Sequence, residues 1–142
     1  MEEKYIIEPQ GYRVSYLFRK ILVPIDGSAT SLRALEIAID FARRYGSKIV
    51  VLHVRESESS ESIWKIVDEK AQEKNIKIEK KEKPYNPHVS SVSNEIINEI
   101  VEGGYDLVIL GARGNTANEE ILLGSTALAI AVNSAISVMI IR

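Results

Sequence analysis

Nearly continuous apolar runs recur along this chain, and segments of helical spacing separate them. KILVPIDGS (Lys20–Ser28), SKIVVLHV (Ser47–Val54), DLVILG (Asp106–Gly111) and SVMIIR (Ser137–Arg142) read as strands. Strands apolar on both faces must be covered on both faces, which is the situation of a parallel sheet. IKIEKK (Ile76–Lys81) reads as a half-exposed strand, and its lysines suit a sheet edge, where charge blocks unwanted pairing.

The segments between are helical. SLRALEIAIDFARRYG places Leu32, Leu35, Ile39 and Ala42 at helical spacing, with Gly46 as the stop. Ile63, Ile66, Val67 and Ala71 mark a second, amphipathic helix within a charged stretch. Pro84 and Pro87 mark a loop. SVSNEIINEIVEGG follows as a third helix, with Val92, Ile96, Ile97 and Ile100 on one side. A fourth begins near Ser125. The order is β-α-β-α-β-α-β-α-β, which predicts an α/β fold with helices on both faces of a parallel sheet and right-handed crossovers. Ligands of such sheets bind beyond the carboxyl ends of the strands, where strand order reverses. Two strand-to-helix loops are therefore of interest: DGSATS after the first strand, and GARGNTANEEILLGST (Gly111–Thr126) after the fourth.

Composition removes several alternatives. At 142 residues the chain holds one domain with a real core. A net charge of −2 gives no reason to expect a nucleic-acid partner. There is no cysteine, which excludes a disulfide scaffold, a thiolate nucleophile and a cysteine-bound zinc site. His53 and His88 are the two histidines, too few for a histidine metal site. His53 is expected to pack near the end of the second strand, and His88 to lie at the surface. The acidic start, MEEKYIIEPQ, has neither the basic nor the apolar region of a signal peptide. Ile121–Ile141 carries no charge, but it divides into a helix-like STALAIAVN and a β-branched ISVMII. A buried helix and a buried strand are expected there, not a membrane span, and the location is expected to be cytoplasmic.

In the second loop, Gly111 and Gly114 allow close backbone approach, and Gly124, Ser125 and Thr126 stand where a helix begins. Bare backbone and an exposed helix N-terminus together suit a phosphate group. The plainer alternative has Gly111 ending a strand, Gly114 making a turn and Ser125 capping a helix. Asp26, directly after the first strand, can accept hydrogen bonds from a ribose or a base edge. Its plainer alternative is a turn aspartate.

With these residues in view, the chain from about Lys20 to Arg142 resembles the universal stress protein family. ILVPIDGS resembles that family's opening strand and turn, and LHV its second strand end. Gly111-x-x-Gly114-x9-Gly124-Ser125 matches its nucleotide-binding pattern G-x-x-G-x9-G-[ST]. The resemblance implies an open, doubly wound, five-stranded sheet of order 3-2-1-4-5, which sets Asp26 beside the glycine loop. It implies that ATP or AMP binds, with or without Mg²⁺. Asp26 would contact the ribose and adenine end, with Pro24 and Ser28 in the same strand and turn. Backbone near Val54 would contact the adenine. Gly111, Arg113, Gly114, Gly124, Ser125 and Thr126 would surround the phosphates. It also implies a homodimer through the last strand, Val138–Ile141.

The sequence departs from the family pattern in places. Ser137 replaces a common proline, the loop before the third helix lacks the usual glycine, and the link from second strand to second helix is short. Glu119 and Glu120 stand in a stretch that is often basic or neutral. They would repel a triphosphate, help hold a divalent cation, or point into solvent. Residues 1–19 form an N-terminal extension rich in Tyr5, Tyr12, Tyr16, Ile6, Ile7, Val14, Leu17 and Phe18, too apolar for a free tail. It is expected to pack on its own domain or a neighbouring subunit, or to have linked this domain to an upstream one. The expected function is a nucleotide-binding regulatory protein. An ATPase or nucleotidyl transferase is the rival, but there is no G-x-x-x-x-G-K-[ST] loop and no H-x-G-H motif. Slow ATP hydrolysis, and a nucleotide-free interaction or transporter-associated module, complete the alternatives.

Overall fold

The structure is a computed structural model that describes residues 18–56, 60–114 and 122–142. The strands are β1 (Lys20–Pro24), β2 (Lys48–Arg55), β3 (Ile78–Pro84), β4 (Leu107–Gly111) and β5 (Ser137–Ile141). The helices between them are α1 (Ala29–Tyr45), α2 (Glu61–Glu73), α3 (Val92–Gly103) and α4 (Ser125–Asn133). All strand pairs are parallel, as the apolar runs imply, and their order β3-β2-β1-β4-β5 is the one the family resemblance implies.

The two-residue period of a strand divides the core into two layers. Ile21, Val23, Ile49, Val51, Leu107 and Ile109 face one side, where Leu35, Ile39 and Ala42 of α1 and Val67 of α2 cover them. Leu22, Val50, Leu52, Val108 and Leu110 face the other, under Ile96 and Ile100 of α3 and Ala127 and Ile130 of α4. This is why the three central strands are apolar without alternation. In α2 the buried stripe runs through Val67 and Ala71, with Ile63 packed against it, whereas Ile66 is exposed at its margin.

The charged strand β3 stays in the sheet because each face meets an oppositely charged helix. Lys80 Nζ lies 3.0 Å from Asp68 of α2, and Lys81 Nζ 2.9 Å from Glu99 of α3. Glu99 is buried, and the Tyr105 hydroxyl also donates to it at 2.6 Å. The Tyr105 hydroxyl is pushed well above its ordinary pKa, by burial first and by the adjacent Glu99 carboxylate second.

Helix ends are set by short polar residues and glycines. Ser28 caps α1 and Ser91 caps α3, each accepting from the N–H three residues on. Gly46 and Gly104 close the same helices in left-handed conformation, φ 71° and 69°. At the start of β1, Arg19 and Lys20 donate backbone N–H bonds to the Asp106 carboxylate at 2.8 and 3.1 Å. This ties the entrance of β1 to that of β4. Phe18 stacks on Phe41 of α1 at 5.4 Å between ring centroids. The rest of the N-terminal extension lies outside the described residues. Among those residues no helix is long and apolar enough to cross a membrane. The uncharged stretch from Leu122 onward forms a helix and a strand as expected, but they are not fully buried. Helix α4 buries Ala127 and Ile130 and exposes Leu128 and Val132, and β5 is half-buried because it is the last strand of the sheet.

Candidate functional site

The sheet reverses direction of growth between β1 and β4. From β1 the chain proceeds outward to β2 and β3, and from β4 outward to β5. The loops leaving β1 and β4 therefore diverge and leave a crevice between them.

The first loop is a tight turn. Gly27 has φ 84°, a conformation that a side chain would strain. Asp26 Oδ1 accepts the Ser28 N–H at 2.9 Å, so one carboxylate oxygen does serve as a turn acceptor. The other faces the second loop: a Cβ on Gly114 would lie 2.9 Å from Asp26 Oδ2. The Ser28 hydroxyl is engaged within the fold. Its Oγ accepts the Ser31 N–H at 3.3 Å and donates to the Arg113 carbonyl at 3.4 Å.

The second loop is pinched. Gly124 N–H donates to Ala112 O at 2.6 Å, bringing the start of α4 back onto the end of β4. The three motif glycines have different neighbours. Gly111 lies against the first turn of α1, where a Cβ would meet Thr30 Oγ1 and come 2.7 Å from Ser31 N. Gly114 lies against Asp26. Gly124 lies against Ala112 and Arg113, where a built Cβ would come a tight 3.3 Å from Ala112 O and an ordinary 3.5 Å from Arg113 Cα. Gly111 does end a strand, as the plainer alternative has it. Ser125 does not cap α4: the cap residue is Gly124, and no side chain makes a capping bond there. Ser125 and Thr126 instead occupy the first helical turn.

A cavity of about 650 Å³ fills the crevice, within the usual size of small-molecule sites. Pro24, Asp26, Ser28, Val54, Gly111, Arg113, Gly114, Gly124, Ser125 and Thr126 all line it. The sequence did not single out the opposite wall, made of Leu52, Val92, Ile96, Leu123 and Leu128, nor Ser31 behind Asp26. One end is therefore apolar and the other is built of hydroxyls, backbone and a helix start. Asp26 and Arg113 are the charged residues among the described lining. Glu119 and Glu120 lie outside the described residues. Among the described residues no group of three or more His, Asp or Glu side chains is arranged to hold a metal ion.

The histidines stand apart from this cavity. His53 is buried near the end of β2, as expected, on the face opposite that of Leu52 and Val54. Its Nδ1 meets Ser60 Oγ at 2.6 Å, and Glu82 lies 3.8 Å away. Burial lowers its pKa, against the opposing pull of Glu82. The Glu82 carboxyl is in turn held low, chiefly by its hydrogen bond to Ser60. His88 is exposed, and its backbone N–H donates to Asn86 Oδ1 at 2.9 Å.

The fold has counterparts among known proteins. A universal stress protein of Methanocaldococcus jannaschii is 29% identical over 141 residues, covering 89% of this chain and 83% of that protein. The solved structure of a universal stress protein in complex with cAMP has a TM-score of 0.69 and 23% identity, over 89% of this chain and 98% of that one. The Archaeoglobus fulgidus universal stress protein, solved in complex with dAMP, gives 0.66 and 17% over 89% and 99% of the two chains. At these identities the two structures speak to the fold. The sequence pattern of the universal stress protein family itself matches residues 17–142, and the chain belongs to that family.

Proposed function

We propose that this protein binds adenine nucleotide in the crevice between Asp26 and the Gly111–Thr126 loop. It acts as a nucleotide-dependent switch or sensor in the stress response, in the cytoplasm, and not as a metabolic enzyme. One observation carries the reading: the residues singled out from the motif and the first strand all line one cavity, apolar at one end and donor-rich at the other. The base packs in the apolar end, with backbone near Val54 along its edge. Asp26 takes the ribose. The phosphates lie against Arg113, Gly114, Ser125 and Thr126, at the N-terminus of α4. Gly111 and Gly124 act by bringing these parts together. The complexes of two fold relatives with cAMP and dAMP support an adenine nucleotide as the ligand class. The ligand is ATP or AMP, with or without Mg²⁺, and the described lining offers Arg113 as its one basic side chain to the phosphates. Protein purified without added nucleotide and then denatured should release adenine nucleotide into the filtrate. Release of a different cofactor in stoichiometric amount would count against the assignment.

The same reading includes a homodimer. β5 is the last strand of the sheet, and Val138–Ile141 are half-buried along an edge that pairs only with β4 among the described residues. An apolar edge of this kind invites another strand, and a second copy of β5 supplies it. A single monomeric boundary in sedimentation at micromolar concentration would remove this part of the proposal.

A further inference from the structure

Glycine at position 114 opens the loop to a phosphate but leaves the peptide bond before it unconstrained. Glycine tolerates nearly every φ/ψ combination, so the Arg113–Gly114 peptide plane turns over easily unless something holds it. The structure contains that hold. Thr30, in the first turn of α1, donates its hydroxyl to the Arg113 carbonyl at 2.6 Å. The Ser28 hydroxyl reaches the same oxygen only at 3.4 Å and is shared with the α1 cap.

A trans peptide is planar, and its C=O and N–H point in opposite directions. With the Arg113 carbonyl turned toward α1, the Gly114 N–H points away from α1. Helix α1 covers one face of the sheet and touches the cavity only through its cap Ser28 and through Ser31, whereas Val92 and Ile96 of α3 and Ala127 of α4 wall the cavity from the other face. The Gly114 N–H is thereby aimed to the cavity side, where α4 begins. Gly111 belongs to the same device, because any side chain there would meet Thr30 Oγ1 and displace the hydroxyl from its acceptor.

We propose that Thr30 is a positioning residue for phosphate recognition: its hydroxyl fixes the Arg113–Gly114 peptide so that the Gly114 N–H is presented to the phosphate. The inference rests on the adenine-nucleotide reading above and assigns to Thr30 no contact with the ligand.

The test compares Thr30→Val, which keeps the shape and removes the donor, with Thr30→Ser, which keeps the donor. AMP and adenosine are titrated into each. Loss of one oriented neutral hydrogen bond should weaken AMP about three- to tenfold. Adenosine should bind as it does to the unaltered protein, and Thr30→Ser should bind AMP as the unaltered protein does. In the ligand-free protein, Thr30→Val should also move the Gly114 amide resonance. Unchanged AMP affinity in Thr30→Val would overturn the inference. So would equal losses for AMP and adenosine, which indicate a loosened helix, or an unmoved Gly114 amide. If the unaltered protein binds neither compound, the nucleotide reading fails first and the role of Thr30 falls with it.

Discussion

Gly111→Ala tests whether the first motif glycine is there for packing. A Cβ at this position would lie 2.7 Å from Ser31 N and 2.8 Å from the Thr30 carbonyl carbon, both backbone atoms of α1. Nothing flexible can yield, so α1 must shift against β4. Overpacking of this kind costs about 1–3 kcal/mol. Replacing glycine by alanine also restricts the unfolded chain, which stabilises by about 0.4–1 kcal/mol. The packing cost is the larger, leaving a net loss of about 0.5–2 kcal/mol. For a domain of this size that lowers Tm by roughly 2–8 °C. Trp64 is the single tryptophan and packs against the α1 layer, so its fluorescence in urea follows the unfolding. Gly124→Ala is harmful for a different reason: its Cβ would press on the backbone oxygen of Ala112 at a tight 3.3 Å, and alanine is a much poorer helix cap than glycine. Gly111→Ala as stable as the unaltered protein would refute the packing argument.

Two further perturbations probe the buried polar groups. His53 has a lowered pKa in the fold, so below the unfolded value of about 6.5 the unfolded chain takes up a proton that the folded one resists. Stability should be full above that pH and fall as pH drops below it, and His53→Gln should flatten the fall; a urea midpoint that does not change as pH is lowered through that value would show otherwise. Tyr105→Phe removes the 2.6 Å hydrogen bond to buried Glu99 and should lower stability by about 1.5–3 kcal/mol, the range for a bond to a charged group, with the denaturant midpoint as readout.

Much of this molecule was legible in the sequence, for a physical reason. Central strands of a doubly wound sheet are buried on both faces, so β1, β2 and β4 announce themselves as unbroken apolar runs. The charged β3 was readable as an edge because its lysines cannot lie in a central strand. The motif glycines and Asp26 were legible because backbone geometry at the ends of strands depends on few residue types. What escaped depends on rotation and distance. Val92 and Ile96 were visible as the apolar side of a helix, but which part of that side faces a cavity depends on how α3 is turned over the sheet. Ile66 failed as a core residue for the same reason. Thr30 carried no signal, because its partner Arg113 is 83 positions away and the bond exists only once β1 and β4 are neighbours. Ser125 was the cap the sequence offered for α4, and it failed because glycine one residue earlier also suits that position.

The central claim is that the crevice between Asp26 and the glycine loop binds adenine nucleotide. Titration calorimetry with AMP and with ATP, in the presence and absence of Mg²⁺, tests it on the unaltered protein and on Asp26→Ala. The account predicts saturable binding at sub-millimolar concentration. Asp26→Ala should weaken it about ten- to a hundredfold through loss of a charge-assisted hydrogen bond to the sugar or base. No detectable heat or competition for either nucleotide at millimolar concentration, or full affinity in Asp26→Ala, would contradict it.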